Sequence, residues 1–124
     1  MRISNGIDII EIKRIKEKFE KNRKFKEKIF TENELKQVKG LEIEYIVLAG
    51  KWASKEAFSK ALGTGIGKEL DWKDIEILND ISGKPEIRIS QDLVKKYKID
   101  QISLSISHIK DYAIASVLIL FDQT

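Results

Sequence analysis

The chain has 124 residues and no cysteine. Disulfide bonds are therefore excluded, as are a thiolate nucleophile and a cysteine-ligated zinc site. There is one histidine, His108, and one proline, Pro85. No apolar run is long enough to span a bilayer. The opening MRISNGIDII lacks a long apolar segment behind a basic stretch, so no secretory leader is expected. Internal repeats, linkers and low-complexity tracts are missing too. A reducing cytoplasm and no membrane partner fit these absences. What is present is 42% apolar and 35% charged residue content, the balance of a globular chain. The length predicts a single domain over 1–124 with a modest core.

Acidic residues are scarce in one place. Residues 13–28, KRIKEKFEKNRKFKEK, carry nine Lys/Arg against three Glu, a net of +6 in a chain whose total is +3. The remainder is therefore slightly acidic, at −3. Such a patch is either a solvated helix face or a dock for an acidic partner, protein or nucleic acid.

Hydrophobic periodicity predicts an α+β fold: a small, mainly antiparallel sheet packed on one long helix. Residues 2–10 read as a strand with Asp8 on the face of Ile10 and Ile12. Ile12, Ile15 and Phe19 then change to helical spacing, to about Lys21. Thr31 and Glu34 form a capping-box pattern opening a short helix. A long helix is predicted from about Glu42 to Leu62, closed by Gly63. Short strands at about 74–79 and 84–89 flank Ser82-Gly83-Lys84, and 90–98 reads as helical. Residues 101–108, QISLSISH, alternate apolar and polar. After a turn near Lys110-Asp111, YAIASVLILF is apolar at nearly every position. A strand apolar on both faces is expected to be covered on both, and in a domain this small a second subunit is one candidate cover.

Three polar groups stand where apolar ones are expected: Asp8 within GIDIIEI, Glu56 one turn after Trp52, and His108 in phase with Ile102, Leu104 and Ile106. A charge near a core needs a partner or a metal. Asp8 and Glu56 are hard oxygen ligands, which in a chain without cysteine point to Mg²⁺, with water and phosphate completing the shell. Lys60 lies four residues after Glu56, about 6 Å along the same flank. Taken one at a time, the groups have plainer readings. Glu56 and Lys60 suit an i,i+4 ion pair. Asp8 suits a turn or a cap, and His108 a hydrogen-bonded core edge. Lys55 suits either a phosphate or a neighbouring acid. Gly63, Gly65 and Gly67 do not make a phosphate loop: Leu62 stands where the first required glycine would be, and Glu69 where Ser/Thr would be. A helix cap followed by a tight turn accounts for them, and leaves room for backbone to approach a phosphate.

In order, GIDIIEIKRI (6–15), KIFTENEL (28–35), KWASKEAFSKALGTGIG (51–67), SGKP (82–85) and SISHIKDYAIA (105–115) resemble the holo-acyl-carrier-protein synthase family of 4′-phosphopantetheinyl transferases. The resemblance covers nearly the whole chain, and WxxKExxxKAxGxG is its most specific part. It implies a single domain of that transferase fold. It also implies Mg²⁺-dependent transfer of phosphopantetheine from coenzyme A to a serine of apo acyl carrier protein, releasing adenosine 3′,5′-bisphosphate, in support of fatty acid biosynthesis. Asp8 and Glu56 would hold Mg²⁺. Lys60 would lie by the phosphates and is one candidate base for the serine, a water held by Mg²⁺ or Glu56 being the other. His108, Gly63, Lys84 and Pro85 would help bind coenzyme A, and Arg14 would meet an acidic carrier protein. The family is typically trimeric, with sites between subunits.

One departure stands out. The family often carries arginines near the start of the long helix, whereas here Lys51 is present and no arginine occurs between 23 and 88. Lysine is a point charge rather than a planar fork. A reading from a different class, a nucleic-acid-binding domain using residues 13–28, would need arginine-rich or aromatic contacts. The patch is mostly lysine with interspersed glutamate.

Overall fold

In a computed structural model, residues 1–122 are described. Strand β1 (Arg2–Glu11) leads directly into α1 (Ile12–Lys21), followed by α2 (Arg23–Ile29), α3 (Glu32–Val38) and the long α4 (Glu44–Leu62). After a 3-10 turn at Trp72–Asp74 come β2 (Glu76–Asn79), β3 (Pro85–Arg88), α5 (Gln91–Tyr97), β4 (Ile99–His108) and β5 (Tyr112–Phe121). The α+β expectation holds, with the strands divided between two antiparallel sheets. One has the order β1-β5-β4 and the other is the β2-β3 hairpin.

The last strand is central because its inner face is apolar and small. Ala115, Val117, Ile119 and Phe121 are buried with Ala53, Ala57, Phe58 and Ala61 of α4, and Ala113 is buried with Ala49 and Trp52 of the same helix. Alanines on both sides let helix and sheet approach closely. At Gly6 of β1 the approach is so close that an added Cβ would lie 1.9 Å from the Ala57 carbonyl oxygen. The opposite side of α4 packs on a second cluster, Ile15, Phe19, Ile29, Phe30, Val38, Leu48 and Trp52. Helix α4 is thus buried on two sides, which is why its apolar residues leave no single clean stripe. Gly63 ends it in the left-handed conformation (φ +89°), as its position predicted.

Several boundaries differ from the sequence expectation. The basic run is broken at Asn22, whose side chain accepts from the Lys24 amide at 3.1 Å and opens α2, a helix that periodicity had not marked. Helix α4 starts at Glu44 because residues 41–43 are used in turns. Residues 74–75 belong to the 3-10 turn and its cap, not to β2. The expected cover on both faces of β5 is met on one face only within the chain. On the outer face Ile3, Ile7, Ile9 and Leu118 are exposed. No helix among the described residues is long and apolar enough to cross a membrane.

Candidate active site

The contact between Gly6 and Ala57 lays α4 across β1 and brings the next inward residue of the strand, Asp8, beside Glu56 and Lys60. Lys60 Nζ donates to Asp8 Oδ1 at 3.1 Å and to the Ile7 carbonyl oxygen at 3.1 Å. The Asp8 side chain is 16% exposed and that of Lys60 53%, so the group forms a wet rim over a nearly buried carboxylate. Glu56 does not form the i,i+4 ion pair with Lys60; Lys60 reaches across to the strand instead. Among the described residues no donor reaches the Glu56 carboxylate. Burial pushes its pKa up, the Asp8 charge adds to the rise, and Lys60 opposes it.

Two neighbouring carboxylates, of which only Asp8 is paired with a lysine, are short of positive charge. That donor set fits a hard divalent cation of the Mg²⁺ kind, which needs only one or two protein carboxylates and takes its remaining oxygens from water and phosphate. No group of three or more His, Cys, Asp or Glu that could hold a metal occurs among the described residues, so a closed, all-protein metal site is not what the fold offers.

Lys55 has a different fate because one residue along a helix is a turn of about 100°. Lys51 and Lys55 face α3 and β2, while Glu56 and Lys60 face β1. Lys55 is buried and pairs with Glu34 Oε1 at 2.7 Å, both side chains having no exposure. It also donates to the carbonyls of Ile29 (2.8 Å) and Trp72 (3.1 Å). Of its two expected partners, the acid is the one present. Lys51 is likewise buried and donates to the Ile77 carbonyl, so it is not a surface group for a phosphate. Glu34 was legible in the sequence only as a capping residue. Its Oε1 does accept from the Thr31 amide at 2.9 Å, but nothing in the local spacing announces Lys55, 21 positions away.

The remaining sequence-predicted residues lie around this cluster without joining it. Gly63 follows Lys60 by one turn, its amide donating to the Ser59 and Lys60 carbonyls. His108 is exposed at the end of β4, opposite Ala113, which in turn faces Ile10; Asp8 occupies the adjacent row with Ala115 and Ile106. His108 and Asp8 therefore share a face of the sheet, about 12 Å apart: two strand spacings across and two residues along. Arg14 projects from the exposed side of α1. Lys84 and Pro85 line a cleft of about 270 Å³ with Glu86, Ile87 and Ile102–Leu104. Ile102 is four residues from the Asp8 row, about 13 Å along the strand, so one chain does not bring this cleft to Asp8. A wider cleft, about 820 Å³, lies among the short helices over Phe19, Leu35 and Tyr45 with charges of both signs at its rim, away from the carboxylates.

A sequence profile described as the 4′-phosphopantetheinyl transferase superfamily matches residues 4–117. The holo-[acyl-carrier-protein] synthase of Oceanobacillus iheyensis is 48% identical over 118 residues, covering 92% of each chain. The chain belongs to the holo-acyl-carrier-protein synthase family of 4′-phosphopantetheinyl transferases. It is an enzyme of that family, and the chemistry of the family is phosphopantetheine transfer. The synthase of Chloroherpeton thalassium is 47% identical over 115 residues, with 92% of this chain and 94% of that one covered. Among solved structures, the Bacillus anthracis holo-(acyl-carrier-protein) synthase in complex with CoA (3′,5′-ADP) superposes with a TM-score of 0.83 at 44% identity over 96% of each chain. The Helicobacter pylori synthase in complex with coenzyme A gives 0.87 at 38% identity, covering 94% of this chain and 99% of that one. Gly6-Ile7-Asp8 is the part of β1 whose glycine admits α4 and whose aspartate meets Lys60.

Proposed function

We propose that this synthase-family enzyme moves the 4′-phosphopantetheine group of coenzyme A to a serine hydroxyl of apo acyl carrier protein, with Mg²⁺, releasing adenosine 3′,5′-bisphosphate. The observation that carries the reading is the Asp8–Glu56–Lys60 cluster at the crossing of β1 and α4. The serine oxygen bonds to the phosphorus bearing the pantetheine arm, the bond from that phosphorus to the leaving bisphosphate breaks, and the serine proton passes to a base. Such a transfer asks for positioning and charge neutralisation more than for covalent chemistry. Asp8 and Glu56 are the residues that would hold Mg²⁺, which when bound supplies positive charge at the pyrophosphate. Lys60 spends two of its three N–H donors on Asp8 and Ile7, leaving one for a phosphate oxygen. Loss of the proton from that ammonium would free it to act as the base; a water on Glu56 is the alternative. In Lys60→Ala, kcat should fall, and loss of a limb of the pH–rate profile would assign the base to Lys60.

Coenzyme A binding is assigned to Gly63, His108, Lys84 and Pro85, and carrier-protein docking to Arg14 and the basic surface of α1 and α2. The aromatic residues of that surface favour a protein over a nucleic acid. Phe19 is buried and Phe25 leans on Trp52 at 5.9 Å between ring centroids, so neither is offered to a base. The exposed apolar face of β1 and β5 supports a homotrimer, and the distance of the Lys84–Pro85 cleft from Asp8 supports a site completed by a neighbouring copy. A cytoplasmic single-domain enzyme serving fatty acid biosynthesis is the setting. Intact-mass spectrometry of apo acyl carrier protein after incubation with the enzyme, coenzyme A and Mg²⁺ tests the reading. A gain of one phosphopantetheine, abolished by EDTA, is expected; no gain across a panel of apo carrier proteins would refute it.

A further inference from the structure

The hairpin that carries Lys84 and Pro85 has an unusual neighbour along one edge. In an antiparallel pair, alternate residues turn their N–H and C=O groups away from the partner strand. On β2 these are Ile77 and Asn79, and among the described residues no third strand lies there. Side chains take its place. Glu34 Oε2 accepts from the Ile77 amide at 2.8 Å, and Lys51 Nζ donates to the Ile77 carbonyl. Two residues on, Gln37 uses both ends of its amide: Oε1 accepts from the Asn79 amide at 3.0 Å and Nε2 donates to the Asn79 carbonyl at 3.2 Å. Lys51 also reaches Gln37 Oε1 at 3.4 Å, so the rungs are joined.

The ladder ends where the turn begins. Asn79 Nδ2 donates to the Gly83 carbonyl at 3.1 Å. Asp80 Oδ1 accepts from the amides of Ser82 and Lys84, each at 2.9 Å, and from Ser82 Oγ at 2.6 Å. A continuous set of hydrogen bonds thus runs from α4, through Gln37, to the Ser82–Gly83–Lys84 turn. The other edge of the hairpin, at β3, lines the 270 Å³ cleft with β4. Clamping one edge fixes where the other edge stands.

We infer that Gln37 is a positioning residue for coenzyme A: with Glu34 and Lys51 it replaces a third strand on β2 and so holds the Lys84–Pro85 turn where the substrate meets it. Glu34 and Lys51 are buried, and Glu34 also caps α3 and pairs with Lys55. Gln37 is exposed and its side-chain hydrogen bonds all lie within the ladder, which makes it the rung that can be removed without opening the core. The inference rests on the assignment of Lys84 and Pro85 to coenzyme A binding.

The test compares Gln37→Met, nearly isosteric but unable to hydrogen-bond, with the double variant Lys84→Ala, Pro85→Ala, using steady-state kinetics on the full chain with Mg²⁺, coenzyme A and apo carrier protein. In Gln37→Met, KM for coenzyme A should rise about five- to tenfold, the scale of two lost neutral hydrogen bonds, with kcat and the carrier-protein KM within about twofold of wild type. Faster amide exchange at Asn79 should accompany it. An unchanged coenzyme A KM in Gln37→Met, while the double variant raises it, overturns the inference and leaves the assignment of the turn standing. A double variant with no effect on that KM removes the turn from the coenzyme A site and refutes both. Parallel changes in kcat and both KM values, with a lowered Tm, would make Gln37 merely structural and likewise overturn it.

Discussion

At Glu56 the fold holds a carboxylate where burial and the Asp8 charge both disfavour ionisation. An acid whose folded-state pKa is raised contributes stability at low pH that is lost as pH climbs from the ordinary value of 4.5 through the raised one. At neutral pH in chelator, Glu56→Gln should therefore melt a few degrees higher than wild type while turning over at least about a hundredfold more slowly. Added Mg²⁺ should raise the wild-type Tm and leave the variant's unchanged. A Mg²⁺ response in Glu56→Gln equal to wild type would remove Glu56 from the metal. Lys51 behaves in the opposite sense. Burial, partly offset by Glu34, lowers its pKa from 10.5 to about 8. Between those values the unfolded chain holds the proton and the folded chain does not, so stability rises with pH across that window. Urea denaturation from pH 8 to 10.5 should show this slope, reduced in Lys51→Met; Lys55, lowered by burial in the same direction, accounts for a remainder.

Among the elements, α4 does two tasks on adjacent flanks. One flank, at Lys51 and Lys55, anchors α3 and β2, and the other presents Glu56 and Lys60 to β1. The anchor is a fully buried ion pair, and its partners are matched closely enough that removing one leaves the other unpaired away from water. Lys55→Met should destabilise the chain by about 3–5 kcal/mol. Adding Glu34→Leu should recover only part of that loss, because Glu34 also caps α3 and holds the Ile77 amide. Equilibrium unfolding in urea measures both. A loss below about 1 kcal/mol for Lys55→Met would mean that water reaches Glu34 and the pair is not sealed.

For the whole molecule, the two surfaces that matter are a basic one and an apolar one. Arg14→Glu should raise KM for carrier protein about tenfold and leave that for coenzyme A nearly unchanged, and the difference should shrink as salt screens the encounter. Equal effects on both substrates would move the docking face elsewhere. On the outer sheet face, Ile9 lies opposite Ile114, two residues from exposed Ile7. If the proposed homotrimer forms through this face, Ile9→Glu should leave monomers in sedimentation velocity and lower activity with them. Full activity in a monomeric variant would place the complete site within one chain.

Local pattern alone determined much of this. The capping box at Thr31–Glu34, the glycine that ends α4, the alternation of β4 and the helical spacing of α1 all follow from neighbours within a few residues, where short-range sterics and hydrogen bonding decide. The motif residues Asp8, Glu56 and Lys60 were legible for a similar reason: charges within apolar periodicity stand out. Which of them meet was decided only in three dimensions. Lys60 was equally suited to Glu56 by spacing, and it pairs with Asp8 because the missing side chain of Gly6 lets α4 cross β1 there. Lys55 and Glu56 are neighbours in the chain and face different halves of the molecule, since a helix rotates each residue by about 100° and burial on two sides gives each direction its own partner. The side-chain ladder on β2 had no sequence signal at all: its rungs, Glu34, Gln37 and Lys51, come from two helices, and only the packing of α3 and α4 against the hairpin brings them to one strand edge.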